Sequence, residues 1–258
     1  MCGPQLHRTN LGPGSNGNRG TRRYFLAGCL FDTTIRYWRE AVEIMNLAHR
    51  WLCGSAFWRR VLQQEVIPWA LEDVSLGEDV LELGPGPGLT TDLLQSRARG
   101  LTAIELDFGF ASGLGDRFRN TRVRIVQGDA TALPFAESVF TSAASFTMLH
   151  HLPRPALQDR IFREVHRVLR PGGTFAGTDG LNSRAMRLLH LPDTLTPIDP
   201  VALPARLEEA GFRDIAVDTR HGMFRFRAVA GQGAHDIKRN SASSRDLSHS
   251  RSGATALR

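Results

Sequence analysis

Cysteine is scarce in this chain of 258 residues. Cys2, Cys29 and Cys53 stand far apart, with no C-x-x-C spacing and no histidine pair close to them. That spacing indicates neither a disulfide framework nor a zinc site, and it suits a reducing cytoplasm. No apolar run approaches the roughly 18 residues that a membrane helix needs. Lysine is almost missing, since Lys238 is its single occurrence and nearly all positive charge is arginine. The formal charge of +6 invites a nucleic-acid reading, but the charge sits at the ends. Residues 1–44 hold six arginines against Asp32, Glu40 and Glu43, and residues 233–258 hold five basic residues against Asp236 and Asp246. Between them the charges cancel, and no basic stripe with interleaved aromatics is present, which argues against a nucleic-acid partner.

What is present divides the chain into four parts. The 41% hydrophobic content is enough for one real core with appendages. Residues 1–33 read as a disordered basic leader, because residues 3–20 are rich in Gly, Asn and Pro without periodicity. Thr21 to Leu26 looks like a twin-arginine export signal and Leu26 to Cys29 like a lipoprotein cleavage box. The apolar run, however, begins directly after Arg23 and stops at Asp32, which leaves a flexible leader or an upstream extension of a shorter chain that could begin at Met45. Residues 34–75 read as helices covering a cleft. One stripe is Tyr37, Trp38, Ala41, Val42, Met45 and Ala48; a second is Phe57, Val61, Leu62, Val66 and Trp69 to Leu71, with Pro68 bending or ending that helix. Residues 76–231 form the main domain, and residues 232–258, nearly devoid of apolar side chains, a disordered tail.

The main domain is organised around Val80 to Leu94, VLELGPGPGLTTDLL. A short apolar run, three glycines at alternating positions (Gly84, Gly86, Gly88) and a helical stretch spell strand, tight turn, helix. Glycine lets a backbone approach a ligand with no Cβ in the way, and the helix start offers unpaired amides. Beyond it, apolar runs at 101–106, 123–127, 140–146 and 174–178 alternate with helical segments at 111–119 and 155–169. A helix at 201–210 precedes two runs, 212–218 and 223–230, joined as a hairpin. Such alternation predicts an α/β fold with a doubly wound, mostly parallel sheet.

Ligands of such sheets sit beyond the carboxyl ends of the strands. Glu82 and the glycines, Glu105, Asp129, residues 146–151 and Pro171-Gly172-Gly173 all fall there. Glu105 lies 21 positions beyond Gly84, the separation at which an acid accepts both hydroxyls of a ribose. A nucleotide-dependent oxidoreductase shares these features.

Five segments together carry a family resemblance: LELGPGPG at 81–88, the acid at Glu105, QGDATALPF at 127–135, FTMLHHL at 146–152 and VLRPGG at 168–173. In this order and spacing they resemble the class I S-adenosylmethionine-dependent methyltransferases, above all the small-molecule group with the ubiquinone and menaquinone methyltransferases. The resemblance implies a Rossmann-like sheet of seven strands whose last strand is antiparallel. It implies S-adenosylmethionine as cofactor, with Gly84, Pro85, Gly86 and Gly88 along the methionine part and Glu82 near its amino end. Glu105 would hold the ribose hydroxyls, Leu106 would pack on the adenine, Gly128, Asp129 and Ala130 would address its amino edge, and Phe146 would border the methyl. The chain departs from the family at Thr141, where an aspartate is usual. It also lacks a [DN]PP[YF] segment after the fourth strand, unlike the DNA and glutamine N-methyltransferases. A cofactor-binding but inactive relative is a further alternative.

Methyl transfer from a sulfonium is an in-line displacement, so the protein aligns reactants and excludes water, and a base is needed only for an acceptor that must lose a proton. His150 and His151 are the catalytic candidates. No metal is expected. The insert at 179–199 leaves no room for a cap domain, so Trp51, Phe57, Trp58, Met186, Leu188 and Leu189 are expected to line the pocket of a small apolar or aromatic acceptor.

Overall fold

A computed structural model describes residues 46–191 and 193–231. The expected leader, the tail and most of the first helical stripe lie outside them. Strands β1 (Asp79–Leu83), β2 (Gly100–Glu105), β3 (Val123–Gln127), β4 (Phe140–Phe146), β5 (Leu169–Gly180), β6 (Phe212–Arg220) and β7 (Met223–Ala230) form one sheet in the order β3-β2-β1-β4-β5-β7-β6. β7 pairs antiparallel with both β5 and β6, while the other pairings are parallel. The expected seven-stranded, mostly parallel sheet with a closing hairpin is therefore observed.

Period-two alternation divides the core between the two faces of the sheet. Leu81, Leu83 and Ala143 join one apolar cluster with Ile161, Phe162, Val165 and Phe175; Val80, Ala144 and Phe146 join another with Leu62, Ile67 and Leu94. Burial on both faces explains why β1 reads as a continuous apolar run. Glu82 shares the parity of Val80, so its carboxyl is carried into the second, dry layer. The helices are α1 (Leu47–Gly54), α2 (Ala56–Val61), α3 (Ile67–Ala70), α4 (Leu89–Leu94), α5 (Phe108–Arg117), α6 (Pro155–Val168), α7 (Arg184–Leu189) and α8 (Leu203–Glu209). α6 buries Ile161, Phe162, Val165 and Val168, a stripe of i, i+1, i+4 and i+7; Phe162, fully buried, contributes roughly 2–3 kcal/mol.

Three local readings are corrected. Asn46 begins α1 by accepting from the His49 amide, so the described helix starts where the first expected stripe was to end. Pro68 does not end its helix, which runs on to Ala70. A π-helical turn over Leu62–Val66, with the Ile67 amide reaching Leu62 O, precedes it and absorbs the missing donor. β5 begins at Leu169, earlier than expected, because its register shifts against β4 between Phe140 and Ser142, and Pro171-Gly172-Gly173 is an irregular stretch of the strand.

Thr141 takes over a structural duty. Its hydroxyl lies 3.0 Å from Leu76 O and 2.9 Å from Asp79 O and accepts from the Asp79 amide at 3.1 Å, which ties the entrance of β1 to β4.

Candidate active site

The winding of the sheet reverses between β1 and β4, so the loops that follow these strands diverge and leave a crevice at their carboxyl ends. A cavity of about 700 Å³ occupies it, within the roughly 300–1,000 Å³ typical of small-ligand pockets. Gly84, Pro85 and Gly86 form one wall; Glu105 and Leu106 follow at the end of β2; Gly128, Asp129 and Ala130 follow β3; and Phe146 closes β4. Nine of the eleven cofactor residues named from the sequence thus meet in one space, with His151 beside them.

The glycine turn is built as a rigid unit. The Gly84 amide donates to Ile104 O at 2.9 Å, the Gly86 amide to Glu105 Oε2 at 2.8 Å and the Gly88 amide to Pro85 O at 2.9 Å. Gly84 stands at φ +57, and a Cβ there would lie 2.3 Å from Met148 Cγ, so the β1 and β4 loops touch only because Gly84 has no side chain. Met148 is brought there by Thr147, which adopts φ +51 although it is β-branched, a local strain at the cavity wall. Arg117 of α5 donates to Pro87 O at 3.0 Å and Gly88 O at 2.7 Å from outside the turn. Sequence reasoning did not single out Arg117 or Thr147.

Glu105 is nearly buried and accepts from the amides of Gly86 and Asp107. Burial raises its pKa, against those amide bonds. Asp129 lines the cavity and also accepts from the Thr131 amide at 2.7 Å, capping a turn as any aspartate after a strand could.

Four sequence expectations are not met as stated. Glu82 does not line the cavity. It lies beneath Thr90, whose hydroxyl donates to Oε1, while Oε2 has no hydrogen-bond partner and burial pushes the carboxyl up to about 7. Gly88 is also outside the lining; at φ +78 it is the left-handed N-cap of α4, with Leu114 and Arg117 filling the space where a Cβ would project. His150 is buried behind the cavity, with Nδ1 on Asp179 Oδ1 and Nε2 3.0 Å from Nε2 of His190. Of the expected acceptor residues only Trp58 lines the cavity; Trp51 and Phe57 face solvent at 75% and 68% exposure, as does Leu188 at 72%, and neither Met186 nor Leu189 reaches it. The cover comes instead from Asn46, Arg50 and Cys53 of α1 and its cap, with Trp58 and Leu62. Arg50 bridges the mouth to the Phe110 ring of α5 at 4.5 Å, and burial pushes the Cys53 thiol up to about 11.

His151 faces the cavity within a group of four imidazoles. Its ring centroid is 4.1 Å from that of His150, 5.2 Å from His49 and 5.3 Å from His190. Burial first, then the neighbouring imidazoles, hold its pKa well below the ordinary histidine value.

The described residues contain no helix long and apolar enough to cross a membrane. The family described as "Methyltransferase domain" matches residues 81–177. A "Probable S-adenosylmethionine-dependent methyltransferase" of Mycolicibacterium smegmatis is 32% identical over 187 residues, 69% of this chain and 67% of the relative. The demethylmenaquinone methyltransferase of Paenarthrobacter aurescens is 32% identical over 118 residues, 45% of this chain and 42% of that protein. The alignments thus span about two-thirds of the first relative and under half of the second. Among solved structures, the [4+2]-cyclase SpnF superposes with a TM-score of 0.54 at 19% identity, covering 64% of this chain and 79% of that one, a likeness of fold alone. With its matched domain and its relative across two-thirds of both chains, this chain belongs to the S-adenosylmethionine-dependent methyltransferase family.

Proposed function

We propose that this chain transfers a methyl group from S-adenosylmethionine to a small, largely apolar acceptor held under α1. The observation that carries the proposal is the meeting of Gly84, Gly86, Glu105, Asp129 and Phe146 around one cavity. The donor set fits the cofactor: a buried carboxylate suits a vicinal diol, and a glycine wall without Cβ atoms suits a methionine chain. When bound, S-adenosylmethionine supplies a methyl already activated on a sulfonium.

The chain's own residues then bind and orient. Gly84, Pro85 and Gly86 flank the methionine part. Glu105 accepts from the ribose hydroxyls with the lone pairs not taken by the Gly86 and Asp107 amides. Leu106 packs against the adenine, with Gly128, Asp129 and Ala130 at its edge, and Phe146 stands toward the methyl. Glu82 and Gly88 act from behind the wall, Glu82 by holding Thr90 and Gly88 by starting α4. The cover of Asn46, Arg50, Cys53 and Trp58 excludes water from the reacting atoms. Trp58, Leu62, Phe110 and Met148 offer apolar surface to the acceptor, while Arg50, Asn46 and His151 offer it polar contact. His151 is the histidine on the reacting side; His150 supports it from behind.

Calorimetric titration of the purified chain tests this reading. The expected result is saturable binding of S-adenosylmethionine and S-adenosylhomocysteine and none of NAD. Absence of binding by both sulfur nucleosides would overturn it. Acceptors are then sought by transfer of a labelled methyl group to apolar hydroxylated and aromatic small molecules.

A further inference from the structure

Where the acceptor space meets the segment after α7, histidines converge from three parts of the chain: His49 of α1, His150 and His151 after β4, and His190 at the end of α7. One ring nitrogen from each of His49, His151 and His190 lies within 4.8 Å of the others. Their outward bonds decide which nitrogen of each ring keeps a lone pair. His49 Nδ1 is 3.2 Å from Asp193 Oδ2, so it carries the proton and leaves Nε2 as a lone pair. His190 Nδ1 donates to Met186 O at 2.7 Å, which again leaves Nε2. His151 Nδ1 is buried and has no hydrogen-bond partner.

The charge balance of the cluster is the second observation. Asp179 and Asp193 have side chains 0% and 1% exposed, and among the described residues their ion-pair partners are only His150 and His49. Two buried carboxylates beside four imidazoles make the cluster a place that favours added positive charge, whether a proton or a metal ion. His150 Nε2 and His190 Nε2 also face each other at 3.0 Å, although the Nδ1 of each ring is committed to an oxygen. A contact of that length needs a proton or a metal ion at one of the two nitrogens.

We propose that His49, His151 and His190 bind a divalent transition-metal ion of the zinc class, with its fourth coordination position open to the cavity. The assignment of that open position to an oxygen atom of the acceptor rests on the methyl-transfer reading above; the metal site itself does not. A divalent ion balances the two carboxylates. Asp193 orients His49 as a carboxylate orients a zinc-bound imidazole, and the Met186 carbonyl does the same for His190. A tetrahedral zinc site spaces its nitrogens by about 3.4 Å, so the rings close inward by about 1.5 Å at most, within the reach of side-chain torsions. Three imidazoles plus one open position is the arrangement of catalytic rather than structural zinc. An acceptor hydroxyl bound there would release its proton to solvent more readily, and the oxygen would then take the methyl as the S–CH3 bond breaks and the O–CH3 bond forms, with His151 serving as a ligand of the ion. The sequence shows no metal-ligand spacing because the ligands come from segments about 100 and 40 residues apart, met only in the fold.

The test is titration of chelator-stripped, full-length protein with Co²⁺, read by visible d–d absorption and competed with Zn²⁺. The expected result is one equivalent of cobalt with the intense spectrum of a four-coordinate site, displaced by zinc and shifted by acetohydroxamate. His49→Ala and His151→Ala each weaken binding more than tenfold, Asp193→Asn weakens it about tenfold, and His221→Ala, in the β6–β7 turn and outside the three-histidine group, leaves it unchanged. If His49→Ala loses its circular dichroism spectrum, His49→Gln replaces it. No stoichiometric uptake, or uptake indifferent to His49 and His151, overturns the site; a cobalt spectrum that hydroxamate does not shift overturns the open position. Titration of the metal-free chain with S-adenosylhomocysteine separates the two proposals. Nucleoside binding without metal uptake sinks only this inference, and metal uptake without nucleoside binding sinks the methyl-transfer reading and leaves the metal site standing.

Discussion

The Gly86 amide donates to Oε2 of Glu105 at 2.8 Å, so the turn after β1 and the acid that ends β2 form one hydrogen-bonded unit. Glu105 has two duties as a result: it presents a carboxylate to the cavity, and it holds the wall beside it.

Replacing Glu105 separates these duties. Hydrogen bonds to a charged group are worth about 1.5–3 kcal/mol, so Glu105→Ala should weaken S-adenosylhomocysteine binding roughly tenfold to a hundredfold. Hydrogen exchange at residues 84–88 should quicken as well. Glu105→Gln keeps an acceptor for the Gly86 amide, so exchange there should stay slow while affinity falls by an intermediate amount. Equal affinities for all three proteins, measured by calorimetry, would dissociate Glu105 from the ligand.

Gly84→Ala should fail for a steric reason that a second substitution can expose. The new Cβ would meet Met148 Cγ at 2.3 Å, and φ +57 adds about 1–2 kcal/mol for any residue with a Cβ. Thermal denaturation should show a clear loss of stability, and Gly84→Ala/Met148→Ala should recover the steric part but not the backbone part. A double variant no more stable than Gly84→Ala would place the cost elsewhere.

The sheet and most of the cavity wall were legible because strand ends, glycines and acids lie at fixed offsets along the chain. Glu105, Leu106, Asp129 and Phe146 each follow a strand, and a parallel sheet brings its carboxyl ends to one edge whatever the packing above it. The cover was not legible in the same way. Trp51 and Phe57 carry the apolar pattern of a pocket wall, yet the orientation of α1 and α2 turns both to solvent and brings Asn46, Arg50 and Cys53 inward. Thr141 stands where the family resemblance leads one to expect an aspartate. The hydroxyl instead reaches the backbone at Leu76 and Asp79, a contact visible only once β4 lies beside β1. The fate of Glu82 followed from period two: it has the parity of Val80 and so points into the layer under α4, where Thr90 stands between its carboxyl and the cavity.

That burial gives Glu82 a pH signature. Its carboxyl titrates near 4.5 when exposed and is pushed up to about 7 in the fold, chiefly by desolvation. Between these values the folded chain keeps a proton that the unfolded chain has lost. Stability therefore falls as pH rises from about 4.5 to 7 and stays lower above, by at most roughly 3 kcal/mol. Glu82→Gln removes the titration and keeps the Thr90 hydrogen bond. In urea denaturation the variant should exceed the wild type at pH 8 and approach it at pH 5; a difference that does not change with pH would refute the assignment.

His150 and His151 are adjacent in sequence and opposite in consequence. His150 Nδ1 bonds the fully buried Asp179, and its own backbone amide donates to the other carboxylate oxygen at 3.1 Å. His150→Ala leaves that carboxylate without its imidazole in a dry site. Two backbone amides, from His150 and Gly180, remain to it, so the cost should be about 2–3 kcal/mol, toward the lower end for a broken buried pair. His151 has no such partner at Nδ1, and its ring borders the cavity, where water can replace part of what is lost. His151→Ala should therefore cost under about 1 kcal/mol, the ordinary range for a side chain that strands no buried charge. Urea denaturation of the two variants measures this directly, with labelled-methyl turnover as the companion readout once an acceptor is found. His150→Ala should lose stability first, with turnover falling in proportion to the folded fraction. His151→Ala should stay folded and lose turnover. The reverse pattern would move the reacting side of the histidine group from His151 to His150.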